Sequence, residues 1–324
     1  MSSLTTNAFA LGALTVLRGV NKDLSTAQQQ VSSGYRIGSA ADDPSYWSMS
    51  MTMKSDSSSL KTIGDAMSLG ASKVDTAYTA MTSVIDVLTD IQAKLVSASE
   101  TGVDKDKLNT DIQALKAQLQ STVESASFAG SNWLYNSQGV ADTTQSVISN
   151  FIRGTSGQVT LNTINYDSSQ SLMIDTADPS RGLLTRTVDA NSIASDGTGT
   201  ARNYYLLAPA GSTGTAGGTE ISLSDATTSG QVTDMLNVTH ALLTAATSAA
   251  SNMGVTKARI DSQTTFVAGL QDAIDTSVGD LVDTNMEEAS ARVTSLTTAQ
   301  QLGVQSLSIA NTMASKILVL LQSG

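Results

Sequence analysis

A chain of 324 residues with a formal net charge of −11 and an isoelectric point near 4.4 lacks the basic face that nucleic-acid binding needs, and it holds no polybasic segment for anionic membranes. Aromatic residues make up only 4% of it against 40% hydrophobic overall, so its core is built from Ala, Leu, Val, Ile and Met, which suits closely packed helices. Cysteine is absent, which removes disulfides, thiolate nucleophiles and cysteine-ligated metals.

The N-terminal stretch MSSLTTNAFALGALTVLRGV has neither the basic start nor the small-residue cleavage site of a secretory signal. No run approaches the ~18 apolar residues that span a bilayer. The expectation is a chain that is cytoplasmic or exported by a route that removes no signal peptide. Apolar residues at Leu4, Leu11, Leu14, Leu17, Val20, Leu24, Ala27 and Val31 predict a first helix with a continuous seam.

The only prolines are Pro44, Pro179 and Pro209, so residues 45–178 and 210–324 are free of the strongest helix breaker. Gly34-Tyr-Arg-Ile-Gly38 lacks the Gly-Lys-Ser/Thr of a phosphate loop and reads as a turn between helices. The adjacent Asp42 and Asp43 have no third ligand at metal-binding spacing. One or the other is placed to satisfy the amides of a helix that begins near residue 45.

The next run steps by alternating threes and fours through Leu60, Ile63, Met67, Gly70, Val74, Ala77, Met81, Val84, Leu88, Ile91 and Leu95. That is the pattern of a long helix in a coiled coil or bundle. Thr101-Gly102 ends it. A further helix carries Leu108, Ile112, Leu115, Leu119 and Val123, with Asp104 or Asp106 as its cap. Phe128 and Trp133 close this half by folding back onto the helices.

Between about 140 and 230 the composition shifts to Gly, Ser, Thr and Asn. Short alternating runs appear there, QVTLNTINYD, QSLMIDT, NYYLLAP and TEISLSD, which read as strands and turns. Acidic residues outnumber the basic Arg153, Arg181, Arg186 and Arg202, as suits a solvated outer module inserted between two helical halves. Its many hydroxyls leave two readings open, acceptors for O-linked sugars or plain solvation.

Helix resumes near Val232 with a seam at Leu236, Leu243, Ala250, Met253, Ile260, Val267, Ile274 and Leu281. The only histidine, His240, falls between Leu236 and Leu243 as a polar layer or a partly exposed position. With one histidine and no cysteine, a His-dependent triad or a zinc-protease motif would need partners the sequence does not hold. An enzyme or adhesin carried by the insertion is the rival from another class, but nothing there converges as a site. The expectation is no catalysis, no cofactor and no metal.

The last helix runs Met286, Ala289, Val293, Leu296, Gln300, Gly303, Leu307, Ala310, Ala314, Ile317 and Leu321, and 285–322 as one helix spans roughly 57 Å. Residues 1–17 carry no charged side chain, and between Val293 and Gly324 only Lys316 is charged. A free-standing surface helix presents a charged face; these two do not. One chain offers each only the other as partner, so their remaining contacts come from further copies of the chain.

The segment Leu24–Asp56 closely resembles the N-terminal signature of flagellins, a helix ending in Ser-Ser-Gly, then a basic residue, a small-residue turn and paired aspartates. Here these are Ser32, Ser33, Gly34, Arg36, Ser39, Asp42 and Asp43. Asp283–Gly324, closing on Leu-Leu, resembles the family's other end; both ends and, less closely, the flanking helices resemble the short flagellins of alphaproteobacteria. Residues 140–230 show no resemblance.

The resemblance implies a mainly α chain with a β-rich insertion. Both chain ends form a long antiparallel helical hairpin or coiled coil, beside a helical bundle and a small outer α+β or all-β module. Residues 1–44 with 285–324 would line the inner tube of a filament, 45–140 with 231–284 the outer tube, and 141–230 would face solvent. The self-assembly seam would comprise Leu4, Leu11, Leu14, Leu17, Leu24, Val31, Val293, Leu296, Gly303, Leu307, Ala310, Ala314, Ile317 and Leu321, with Ser33, Gly34, Arg36, Asp42 and Asp43 as the family turn.

The partners implied are many copies of itself, other flagellins, the type III-like export apparatus that passes the chain unfolded, an export chaperone, and cap and junction proteins. No nucleic acid and no membrane insertion are expected. The location implied is the extracellular filament, with swimming motility as the function. A hook–filament junction protein has similar ends and is the alternative. In flagellins sensed by the mammalian innate receptor, two arginines of the first long helix make the contact; the matching positions here are Ile91 and Ala93, which implies weak or absent recognition.

Overall fold

The computed structural model describes residues 7–139, 144–154, 156–193, 202–208 and 217–322, with side chains described as far as residue 313. The chain divides into two compact units, 1–58 with 270–324 and 59–269. Helices dominate: α1 Ala8–Ser33, α2 Pro44–Ser97, α3 Lys105–Ser125, the short α4 Ala190–Ile193, α5 Ser229–Val282 and α6 Met286–Gln322.

Each long helix starts on a cap written in the sequence. Asn7 Oδ1 accepts from Ala10 N at the head of α1. Asp43 Oδ1 accepts from Ser45 N and Tyr46 N, while Pro44 takes the first helical position, where its missing N–H costs nothing. Asp104, not Asp106, caps α3 by accepting from Lys107 N. Thr228 and Gln231 exchange side chain-to-backbone hydrogen bonds ahead of α5, a capping box. Asn285 Oδ1 accepts from Glu287 N and Glu288 N at the start of α6, and both glutamates suit the positive end of the helix dipole.

In the first unit α1 and α6 pack side by side. Asn7 Nδ2 donates to Ala310 O at 2.9 Å, and Gln300 Nε2 donates to Asn21 Oδ1 at 2.7 Å. Thr284 N donates to Gly34 O at 2.9 Å. As one partner's number rises the other's falls, so the pair is antiparallel.

In the second unit every residue of the seam from Leu60 to Leu95 is buried, and Lys257 of α5 pairs with Asp75 of α2. The seam of α5 is turned from the expected one. Leu236 and Leu243 are half-buried, whereas Val232, Met235, Val238, Leu242, Ala246 and Ala249 are buried. The two tracks merge at Met253, Ile260 and Val267. His240 is exposed.

Strands β1 Ser127–Phe128, β2 Ser131–Asn132 and β3 Tyr135–Asn136 follow α3. A hairpin of β4 Thr144–Arg153 and β5 Val159–Asp167 comes next. Its register shifts between Ile148 and Asn150, so a bulge interrupts the alternation. β6 Ile174–Asp175 joins β3 in parallel, and β7 Val188–Asp189, β8 Asn203–Tyr205 and β9 Thr219–Glu220 form a three-stranded sheet. Trp133 is buried and stacks on Tyr166 of β5 with ring centroids 5.6 Å apart.

One face of α3 holds the return segment ahead of α5. Lys105 Nζ donates to Thr227 O, and Asn109 Oδ1 accepts from Leu223 N. Lys116 Nζ donates to Ile221 O and pairs with Glu220 at 2.8 Å. Burial holds the Lys116 ammonium below its ordinary pKa, against the pull of Glu220.

Candidate self-assembly surface

The turn after α1 is where the signature residues meet the far end of the chain. Gly34 has φ 77° and its N–H donates to Gln30 O, a left-handed helix end that glycine adopts without strain. Ser33 Oγ accepts from Tyr35 N. Arg36 N and Ile37 N both donate to Val282 O, and Arg36 Nη2 donates to Leu281 O at 2.8 Å. The guanidinium therefore caps the last carbonyls of α5, where the helix dipole is negative. Beneath it Ile37, Val278 and Val282 form a small buried cluster that Trp47 and Met53 flank.

Asp42 folds the turn onto itself. Its Oδ2 accepts from the Ser39 hydroxyl, Ser39 N and Gly38 N. These bonds hold the carboxyl below its ordinary value of 3.8, the Ser39 hydroxyl contributing most. Arg36, Asp42 and Asp43 are thus a clasp between two helix breaks rather than a ligand set. Among the described residues no group of three or more His, Asp or Glu side chains is placed to hold a metal ion.

The antiparallel pair buries or half-buries Leu14, Leu17, Leu24 and Val31 of α1 and Val293, Leu296, Gly303, Leu307 and Ala310 of α6. A Cβ on Gly303 would stand 3.1 Å from Leu17 Cδ1, so the glycine sets how closely the helices approach. Leu11 points elsewhere and is 53% exposed. Leu4 lies outside the described residues, as do the side chains of Ala314, Ile317 and Leu321, whose backbone continues α6.

A second apolar set lies off that contact. Phe9 is 84% exposed, Val16 64%, Leu302 59% and Met313 62%, with Val304 and Ile309 also exposed. Phe9 and Val16 are seven residues apart on α1, and Leu302 and Ile309 seven apart on α6, so each helix carries an outward stripe. The seam reading missed these residues. The signal that finds them is a second seven-residue repeat in the stretches of both helices that carry almost no charge. Burying one such side chain contributes about 1.5–3 kcal/mol.

In the second unit Ile91 is fully buried on α2 and Ala93 is exposed. No described helix is long and apolar enough to cross a membrane.

Comparison with known proteins places both halves of this architecture. Residues 4–139 match the bacterial flagellin N-terminal helical region, and residues 236–321 match the bacterial flagellin C-terminal helical region. Flagellin C of Rhizobium meliloti (strain 1021) is 51% identical over 322 residues, covering 99% of this chain and 100% of that protein. Flagellin B of Rhizobium meliloti is 36% identical over 393 residues, an alignment longer than this chain, again covering 99% and 100%. A flagellin of Brucella melitensis biotype 1 is 36% identical over 321 residues, 99% of each chain. The chain belongs to the bacterial flagellin family, the structural proteins of the extracellular flagellar filament.

Proposed function

We propose that the chain polymerises through the outward stripes of α1 and α6, each copy covering the apolar side chains that its neighbours leave in water. The observation that carries this reading is the uncovered, uncharged set Phe9, Val16, Leu302, Ile309 and Met313. Monomeric proteins keep such contiguous faces small, and an obligate interface of several thousand Å² is the usual scale for covering them.

In this reading residues 1–44 and 285–324 line the inner tube, 45–140 and 231–284 build the outer tube, and 141–230 faces solvent. The chain passes unfolded through the flagellar type III-like export apparatus, with an export chaperone, and meets cap and junction proteins at the growing end. Other flagellins co-assemble with it, and the assembled helical filament turns motor torque into swimming.

The test is polymerisation of the purified full chain beside a chain that lacks residues 1–44 and 285–324. Sedimentable polymer from the full chain alone supports the reading. A full chain that stays monomeric at high concentration favours the hook–filament junction alternative, and polymer from both contradicts the role given to the termini.

A further inference from the structure

The second unit holds a partly open hollow of about 310 Å³ beside α5. Its floor is Ala245, Ser248 and Ala249, small side chains that leave the space unfilled. Leu172 and Leu183 give it one apolar wall, both buried against the core. Gln170 and Asn252 add amide groups.

Two guanidinium groups complete the lining, Arg181 and Arg186, and no carboxylate lines it. That reverses the local sign in a chain of net charge −11. Arg181 is held in place from behind: its Nε lies 2.8 Å from Asp175 Oδ2 and 3.7 Å from Asp178 Oδ2. Arg186 has no ion-pair partner among the described residues, and its side chain is exposed. A planar guanidinium selects a carboxylate by two parallel hydrogen bonds. The volume is at the small end of ligand pockets and admits one six-membered ring.

We propose that this hollow is a binding site for an acidic monosaccharide. The ring carboxylate pairs with Arg186, the hydroxyls bond Ser248, Gln170 and Asn252, and the C–H face of the ring lies on Leu172 and Leu183. The ligand is either a free sugar acid or the end of an acidic polysaccharide, which offer the same groups.

Calorimetric titration of the full chain with sodium glucuronate tests this, with glucose as the uncharged control. A ligand this small binds with Kd near ~1 mM. Arg186→Gln weakens binding about tenfold or more, as loss of a charge-assisted pair does. Ser248→Phe, on an exposed turn of α5, fills the hollow and abolishes binding while the circular dichroism of the chain is unchanged. No glucuronate binding at ten times that Kd, equal binding of glucose, or an Arg186→Gln variant that binds as well as the parent each overturns the proposal. A di-uronide that binds more tightly than glucuronate identifies a polysaccharide end, equal binding identifies the free acid, and either result upholds the site.

Discussion

Leu17 of α1 and Gly303 of α6 meet so closely that a Cβ on the glycine would stand 3.1 Å from Leu17 Cδ1. About seven helical turns of apolar pairing along α1 hang on contacts of this kind, because neither helix carries a charged row to fix its register. Gly303→Leu therefore overpacks the antiparallel pair and destabilises it by about 1–3 kcal/mol. Gly303→Ala is close to neutral, because about 1 kcal/mol of helix propensity offsets the crowding. Thermal unfolding of the two variants, followed by circular dichroism, checks the order.

Gly70 of α2 makes a tighter approach, to Val147 of β4. A Cβ there would stand 2.3 Å from Val147 Cγ1, and a branched valine has no flexible end to withdraw. Gly70→Ala lifts the hairpin and costs about 1–3 kcal/mol. Adding Val147→Ala recovers most of that loss, a coupling of about 1 kcal/mol or more in a double-mutant cycle. Additive effects of the two changes would contradict the contact.

Much of this packing is legible in the sequence. The α2 seam is complete because each turn offers one apolar residue at the heptad position, from Leu60 to Leu95. The α5 seam is not, because apolar residues come as neighbours, Met235-Leu236, Leu242-Leu243 and Ala249-Ala250. A stripe can pass through either member, and the two tracks lie about 100° apart round the helix. The strand β4 escaped the period-two reading because the bulge at Ser149 breaks its alternation. The Lys116–Glu220 pair joins positions 104 residues apart, and nothing local announces it. The outward stripes of α1 and α6 are legible only as a second seven-residue repeat, Phe9 with Val16 and Leu302 with Ile309, and become a surface only once the seam is satisfied.

Asp42 gives the clasp an acid limit. Its carboxyl titrates below 3.8 in the folded chain because the ionised form accepts three hydrogen bonds. The unfolded chain thus binds more protons than the folded one through this window. The stability Asp42 adds is present above pH 3.8 and is lost as the pH falls through the depressed value. In urea unfolding, Asp42→Asn lowers the midpoint near neutral pH, and the difference from the parent shrinks towards zero in acid. A difference that persists undiminished in acid would contradict the role of the carboxylate.

Ile91 and Ala93 stand where the resemblance puts the arginines of receptor-sensed flagellins. Reporter cells bearing the mammalian innate receptor respond weakly or not at all to nanomolar protein, and full activation overturns this. The two sites differ in what they tolerate. Ala93→Arg places its charge in water and leaves the fold intact, whereas Ile91→Arg buries an unpaired charge at a fully enclosed position and costs about 3–5 kcal/mol.

The central claim is that the outward stripes of α1 and α6 join one copy to the next, and electron microscopy of Leu302→Asp/Ile309→Asp beside the parent chain tests it most directly. Both residues are more than half exposed, so the variant keeps the α1–α6 contact and its circular dichroism. The account predicts long tubes from the parent and none from the variant; tubes of normal length from the variant would contradict it.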